Sequence, residues 1–199
     1  MKNNDIIIRT ANAQDAADIL QIYAPYVQNT AISFEYEIPT LAEFRERIVN
    51  TLRRYPYIVA EQDGEIIGYA YMGAFSARAA YNWAAEVTVY LKDGKRKMGL
   101  GGKLYTKLET IAKAQNIISL KACIAYPEIE DEYLTQNSVQ FHAHLGYAIV
   151  GRFRKCGYKF ARWYDVLWME KLIGVHSENP LPLIPFAELD AHSLSALGL

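Results

Sequence analysis

The stretch Arg96-Lys97-Met98-Gly99-Leu100-Gly101-Gly102 constrains this chain more than any other, because a basic pair runs into three glycines between a strand pattern and a helix pattern. Upstream, Ala85-Glu86-Val87-Thr88-Val89-Tyr90-Leu91 is β-branched and aromatic; downstream, Leu100, Leu104, Leu108 and Ile111 recur with helical spacing as far as Ala114. The first N–H groups of a helix lack intrahelical acceptors, and the dipole puts partial positive charge there, so a strand, glycine turn and helix in this order suit an anion. Glycines let main chain approach the ligand, and Arg96 and Lys97 supply charge-assisted contacts. Two common phosphate patterns fail. A P-loop would need glycine where Lys97 stands and Ser or Thr where Leu104 stands, and a dinucleotide fingerprint starting at Gly99 would also need glycine at position 104.

A chain of 199 residues with 51% hydrophobic residues can bury one sizeable core. Its 21 basic and 22 acidic residues nearly cancel, which argues against a nucleic-acid partner held by bulk charge, so anion binding must rest on local patches. Cys123 and Cys156 have neither metal-ligand spacing nor partners enough for a disulfide framework, and reduced cytoplasmic thiols are expected. Met1-Lys2-Asn3-Asn4-Asp5 lacks the apolar core of a signal peptide, and no apolar run reaches membrane-spanning length.

Ile6 to Arg9 reads as a first strand, followed by a helix carrying Ile19, Leu20, Ile22, Tyr23 and Val27, then a short strand or extended segment over Thr30 to Tyr36. Thr40 and Glu43 form a capping-box pattern that opens a helix to about Arg53. Tyr57 to Glu61 and Ile66 to Met72 flank Asp63-Gly64 as a hairpin. After the glycine-loop helix come a buried strand from Ile117 to Tyr126 and a helix over Ser138 to His144, closed by Gly146. Two last strands, Ala148 to Phe153 and Trp163 to Met169, flank a loop containing Gly157. The order β, α, α, β, β, β, α, β, α, β, β predicts one α/β domain with helices on both faces of a mixed sheet. Residues 1–172 form that domain and 173–199 a Pro-rich extension, whose Leu, Ile and Phe content predicts packing in extended form.

The motif Arg-x-x-Gly-x-Gly after a strand resembles the pyrophosphate loop of the GNAT acetyltransferase superfamily. Ala80 to Leu91, the glycine loop, Ser138-Val139-Gln140-Phe141-His142 with Leu145-Gly146-Tyr147, and Gly157-Tyr158-Lys159-Phe160 with Trp163 and Asp165 together resemble its phosphinothricin acetyltransferase group, from about Ile6 to Lys171. The resemblance implies a single-domain, mostly antiparallel sheet splayed at the coenzyme A site, with acetyl-CoA as co-substrate, no metal, a small amino-acid-like amine as acceptor and a homodimer. It implies that the backbone of Val89, Tyr90 and Leu91 meets the thioester arm and that Arg96, Lys97, Met98, Gly99, Leu100, Gly101 and Gly102 hold the pyrophosphate. Where the family has asparagine, three residues before Ser138, this chain has Thr135, and Asn137 is the displaced candidate for the pantetheine contact.

Glu86 matches the family's base. A protonated amine is not a nucleophile, and the apolar neighbours Trp83, Ala84, Ala85 and Val87 are expected to raise a carboxylate toward the working range. His142 stands where many superfamily members carry tyrosine, and is either the acid that protonates the departing thiolate or a second base. His144 reads as a surface residue. Phe34, Arg78, Tyr81 and Lys159 are the acceptor-side candidates, Arg78 as a bidentate partner for a carboxylate or phosphinate. Two other functions fit the pattern: acetylation of a protein N-terminus or lysine, and a non-catalytic acyl-CoA-binding module. The acidic segment Pro127 to Gln136 would either favour cationic acceptors or form a solvated insertion.

Overall fold

The computed structural model describes residues 5–95 and 99–199. The strands are β1 (Ile7–Thr10), β2 (Tyr57–Gln62), β3 (Glu65–Ala74), β4 (Ala84–Leu91), β5 (Ser119–Tyr126), β6 (Ala148–Lys159) and β7 (Arg162–Leu172). The helices are α1 (Ala16–Asn29), α2 (Leu41–Leu52), α3 (Leu100–Ala114), α4 (Asn137–His144) and a short α5 (Ala191–Ala196). One sheet runs in the order β1-β2-β3-β4-β5-β7-β6, antiparallel throughout except for β4 and β5.

Alternation along the central strands divides the core in two. Tyr57, Val59 and Tyr69 pack against α1 and α2 through Ile19, Tyr23, Phe44 and Ile48. Their neighbours Ile58, Ala60, Ala70 and Met72 face the other way, with Ala85, Val87 and Leu120, against Leu104, Leu108 and Ile111 of α3. The capping box at α2 forms as its sequence predicts: the Thr40 side chain accepts from the Glu43 N–H, and the Glu43 carboxylate accepts from the Thr40 N–H. The segment from Thr30 to Tyr36 contains no strand.

The last hairpin differs from its sequence reading. Gly157 lies inside β6 and the chain turns at Phe160-Ala161, because the β6 ladder shifts register between Phe153 and Gly157 where Lys155 takes φ 49°. The absent side chain at 157 serves packing, since a Cβ there would stand 2.1 Å from the Phe34 ring.

The Pro-rich segment packs in extended form on the α3 side. The Gln115 amide donates to Arg54 O at 2.8 Å and Ile184 O at 2.9 Å, Asn116 Nδ2 donates to Pro182 O, and Trp83 Nε1 donates to Leu181 O. Phe186 is buried in the core, and Leu183, Leu189 and Leu194 pack against the same cluster. Phe186→Ala should therefore cost about 3 kcal/mol and lower the melting temperature by roughly 6–12 °C; an unchanged thermal melt would separate this segment from the core. Among the described residues no helix is long and apolar enough to cross a membrane.

Candidate active site

The site begins where the parallel ladder stops. β4 and β5 pair only over Ala84↔Ser119, Ala85↔Leu120 and Glu86↔Lys121, after which they diverge, while β4 stays paired to β3 as far as Leu91. The fork leaves main chain of β4 facing a cavity of about 420 Å³, walled by Glu86, Val89 and Tyr90 from β4, Cys123 and Ala125 from β5, and His142 from α4. Leu91 is not in this wall: its carbonyl accepts from Tyr26 Oη at 2.6 Å and its N–H donates to the same hydroxyl at 3.3 Å.

At the outer end of the fork, Gly99 takes φ 72° and leads into α3 without a side-chain cap, so the first-turn N–H groups of α3 are not satisfied by a capping side chain. Gly101 also serves packing: a Cβ there would lie 3.1 Å from the Phe141 ring of α4. Arg96, Lys97 and Met98 lie outside the described residues. Asn137 is exposed at the start of α4, and its neighbour Ser138 faces the cavity.

Glu86 is half-buried on the α1 face of β4, and burial raises its carboxyl above the usual carboxylate range. His142 is buried, and burial lowers its basicity, opposed by the Ser138 carbonyl. Its Nδ1 lies 2.7 Å from Ser138 O and its Nε2 lies 2.9 Å from Tyr105 Oη. His144 is exposed. Cys123 borders the same cavity with its side chain still reached by solvent, and partial desolvation together with the Glu86 charge pushes its thiol up to about 12. A thiol held protonated is a poor nucleophile, so the cavity favours direct attack on a bound acyl group over transfer through cysteine. Mass spectrometry after incubation with an acyl thioester should accordingly find no acyl adduct on Cys123; a stoichiometric adduct would require a covalent intermediate.

The acceptor-side candidates separate. Phe34 lines the cavity, with Ser33 and Glu35 beside it. Lys159 does not: its buried ammonium donates to Val27 O at 2.7 Å, Thr30 O at 2.9 Å and Ser33 O at 2.6 Å, so its charge is spent holding the segment that carries Phe34. Arg78 is exposed before the turn at Ala79–Tyr81, and Tyr81 borders a different groove with Trp83, Lys121 and His176. The structure thus brings together Phe34, Glu86 and His142 and leaves Arg78, Tyr81 and Lys159 elsewhere.

The acidic segment is largely exposed, as a solvated insertion would be, and ion pairs pin it to the last hairpin. Arg162 pairs with Asp131 and Glu132 at 2.9 and 2.7 Å, Arg152 pairs with Glu128 at 3.7 Å, and Asp131 also accepts from the Tyr133 and Leu134 N–H groups and from Tyr164 Oη. These contacts fold the segment back onto β7 and seat Leu134 in the cavity wall. Sequence reasoning also passed over Tyr105, which sits on the apolar face of α3 and looks there like any other core aromatic.

The fork between parallel β4 and β5, the helix start at its outer end and the half-buried carboxylate inside it make up the candidate site. Residues 8–168 match the model of the acetyltransferase (GNAT) domain, and the chain belongs to this family. It is 34% identical over 182 residues to a phosphinothricin N-acetyltransferase of Streptomyces viridochromogenes, covering 92% of this chain and 95% of that one. An L-methionine sulfoximine/L-methionine sulfone acetyltransferase of Pseudomonas aeruginosa is 33% identical, over 82% of this chain and 92% of its own. Among solved structures, a phosphinothricin acetyltransferase from Sinorhizobium meliloti in complex with AcCoA superposes with a TM-score of 0.80 at 29% identity, over 91% of this chain and 98% of that one.

Proposed function

We propose that the protein transfers the acetyl group of acetyl-CoA to the primary amine of a small amino-acid-like acceptor, such as phosphinothricin, methionine sulfoximine or an amino acid. The observation that carries this reading is Glu86, a carboxylate of raised basicity in the same cavity as the unpaired edge of β4. In this reading the thioester arm lies along Val89 and Tyr90, and the pyrophosphate meets the start of α3 at Gly99, Leu100, Gly101 and Gly102, joined by Arg96, Lys97 and Met98. Glu86 takes a proton from the acceptor's ammonium, directly or through water, and the freed amine attacks the thioester carbon. The N–C bond forms, the C–S bond breaks and the thiolate leaves. His142 serves the proton that must reach the sulfur.

Phe34 supplies an apolar wall for the acceptor. Leu134 narrows one side of the cavity, which favours a small acceptor over a polypeptide, and a binding module would need neither Glu86 nor His142. Steady-state thiol release over a panel of amino acids and glutamine analogues tests the reading. Turnover with at least one α-amine is expected; coenzyme A binding without transfer to any amine would overturn it.

The reading includes a cytoplasmic homodimer. It is supported by unpaired Cys123 and Cys156 and by an apolar surface on the last hairpin, where Ile149, Val150, Phe153, Tyr158 and Trp163 are exposed along edge strand β6 and its partner β7. Light scattering on the eluting protein should give twice the chain mass, and a monomer at assay concentration would contradict the pairing.

A further inference from the structure

We infer that Tyr105 is the positioning partner of His142 and the hydroxyl through which a proton passes between the reacting atoms and the imidazole. The inference rests on the transferase reading above and adds a residue to it. Ser138 O, 2.7 Å from Nδ1 of His142, can only accept, so Nδ1 carries the ring proton. In the neutral ring Nε2 is then a bare acceptor, and the Tyr105 hydroxyl 2.9 Å away donates to it. His142 in this state has no Nε2 proton to give, and Tyr105 occupies the position from which it would give one. The group that can both lose and accept a proton toward the cavity is therefore the phenol.

The surroundings fix this arrangement. Tyr105 is almost fully buried on α3, and its ring meets those of Phe141, His142 and Tyr147 edge-on at centroid distances of 5.3, 5.3 and 6.0 Å. Tyr105, His142 and Glu86 all border the same cavity, so the carboxylate and the phenol–imidazole pair address one reacting centre.

Proton accounting shows why a second carrier is needed. The acceptor enters as an ammonium ion and leaves as a neutral amide, so it sheds two protons; one goes to solvent through Glu86 and the other ends on the sulfur of coenzyme A. In the tetrahedral intermediate the nitrogen and the sulfur are bonded to the same carbon, so a single hydroxyl can serve both. As the nitrogen sheds its second proton to the Tyr105 oxygen, the phenolic proton moves to Nε2 of His142. When the C–S bond breaks, Tyr105 protonates the thiolate and Nε2 returns its proton to Tyr105. Both side chains end as they began. The buried imidazole resists a lasting charge, which suits a carrier that must give its proton back.

The test combines ¹⁵N spectra of the histidine-labelled protein with kinetics of Tyr105→Phe and of the full chain carrying fluorotyrosine at position 105. In the wild type, Nδ1 of His142 should be protonated and Nε2 should be a hydrogen-bonded acceptor whose resonance moves in Tyr105→Phe; a protonated Nε2 in the wild type would overturn the assignment. Tyr105→Phe should lower kcat by about 10- to 100-fold, with KM for acetyl-CoA within about threefold of wild type. Fluorotyrosine, which keeps the ring and the oxygen but is more acidic, should restore turnover and change the solvent deuterium isotope effect on kcat. A merely structural tyrosine would leave that isotope effect unchanged, and this result would overturn the relay. If the wild type acetylates no amine, the transferase reading falls and the relay with it; if it does and Tyr105→Phe keeps the wild-type rate and isotope effect, the relay alone falls.

Discussion

Glu86→Gln is expected to lower kcat for amine acetylation by about 10²- to 10⁴-fold, with affinity for coenzyme A within about threefold of wild type. The amide keeps the shape of the side chain and removes its capacity to take a proton. Burial destabilises the charged form of Glu86, so its carboxyl titrates above the ordinary range. The base is the ionised form. Activity in the wild type should thus be present above that raised value and fall away as pH drops through it, and this acid limb should be missing from Glu86→Gln. Steady-state rates against pH for the two proteins decide the matter; coincident profiles would remove Glu86 from the base role.

The second large effect is structural and reaches the acceptor. In Lys159→Met, the carbonyls of Val27, Thr30 and Ser33 lose the donor they share, at a cost of about 3–5 kcal/mol and a fall in melting temperature of roughly 10 °C. An ammonium has three N–H bonds and meets three carbonyls here, so methionine of similar length restores packing but none of the hydrogen bonds. The segment being held carries Phe34, which also rests against Gly157. KM for the acceptor should rise while coenzyme A affinity holds, because the clasp holds the end of α1 and the segment after it and makes no hydrogen bond to α3. Thermal melts and the two KM values check this together. A variant as stable as wild type, with only the acceptor KM raised, would mean that Lys159 contacts the acceptor directly.

Much of this architecture is local and so legible in the chain. The alternation of β4, the helical spacing of α3 from Leu100 to Ala114 and the capping box of α2 are decided by residues close in sequence, and each forms where its pattern lies. Glu86 and His142 were readable because the resemblance carries them at recognisable positions. The rest depends on tertiary packing. Nothing in the spacing around Lys159 says that three carbonyls of another element will surround it. Nothing around Arg162 says that it will pair with Asp131 and Glu132 and pin an acidic segment to β7. Gly157 sits inside a strand because of a bulge at Lys155, which looks locally like any turn. Tyr105 hides in the apolar stripe of α3, and only its 2.9 Å contact with His142 separates it from its core neighbours.

A crystal structure with coenzyme A and a non-reactive acceptor amine would locate both substrates in the fork. The pantetheine arm should lie in the fork beside Val89 and Tyr90, with the acceptor nitrogen within hydrogen-bonding reach of Glu86, directly or through one water. An acceptor seated instead in the groove of Tyr81 and Trp83, or a coenzyme outside the β4–β5 fork, would remove Glu86 from the chemistry.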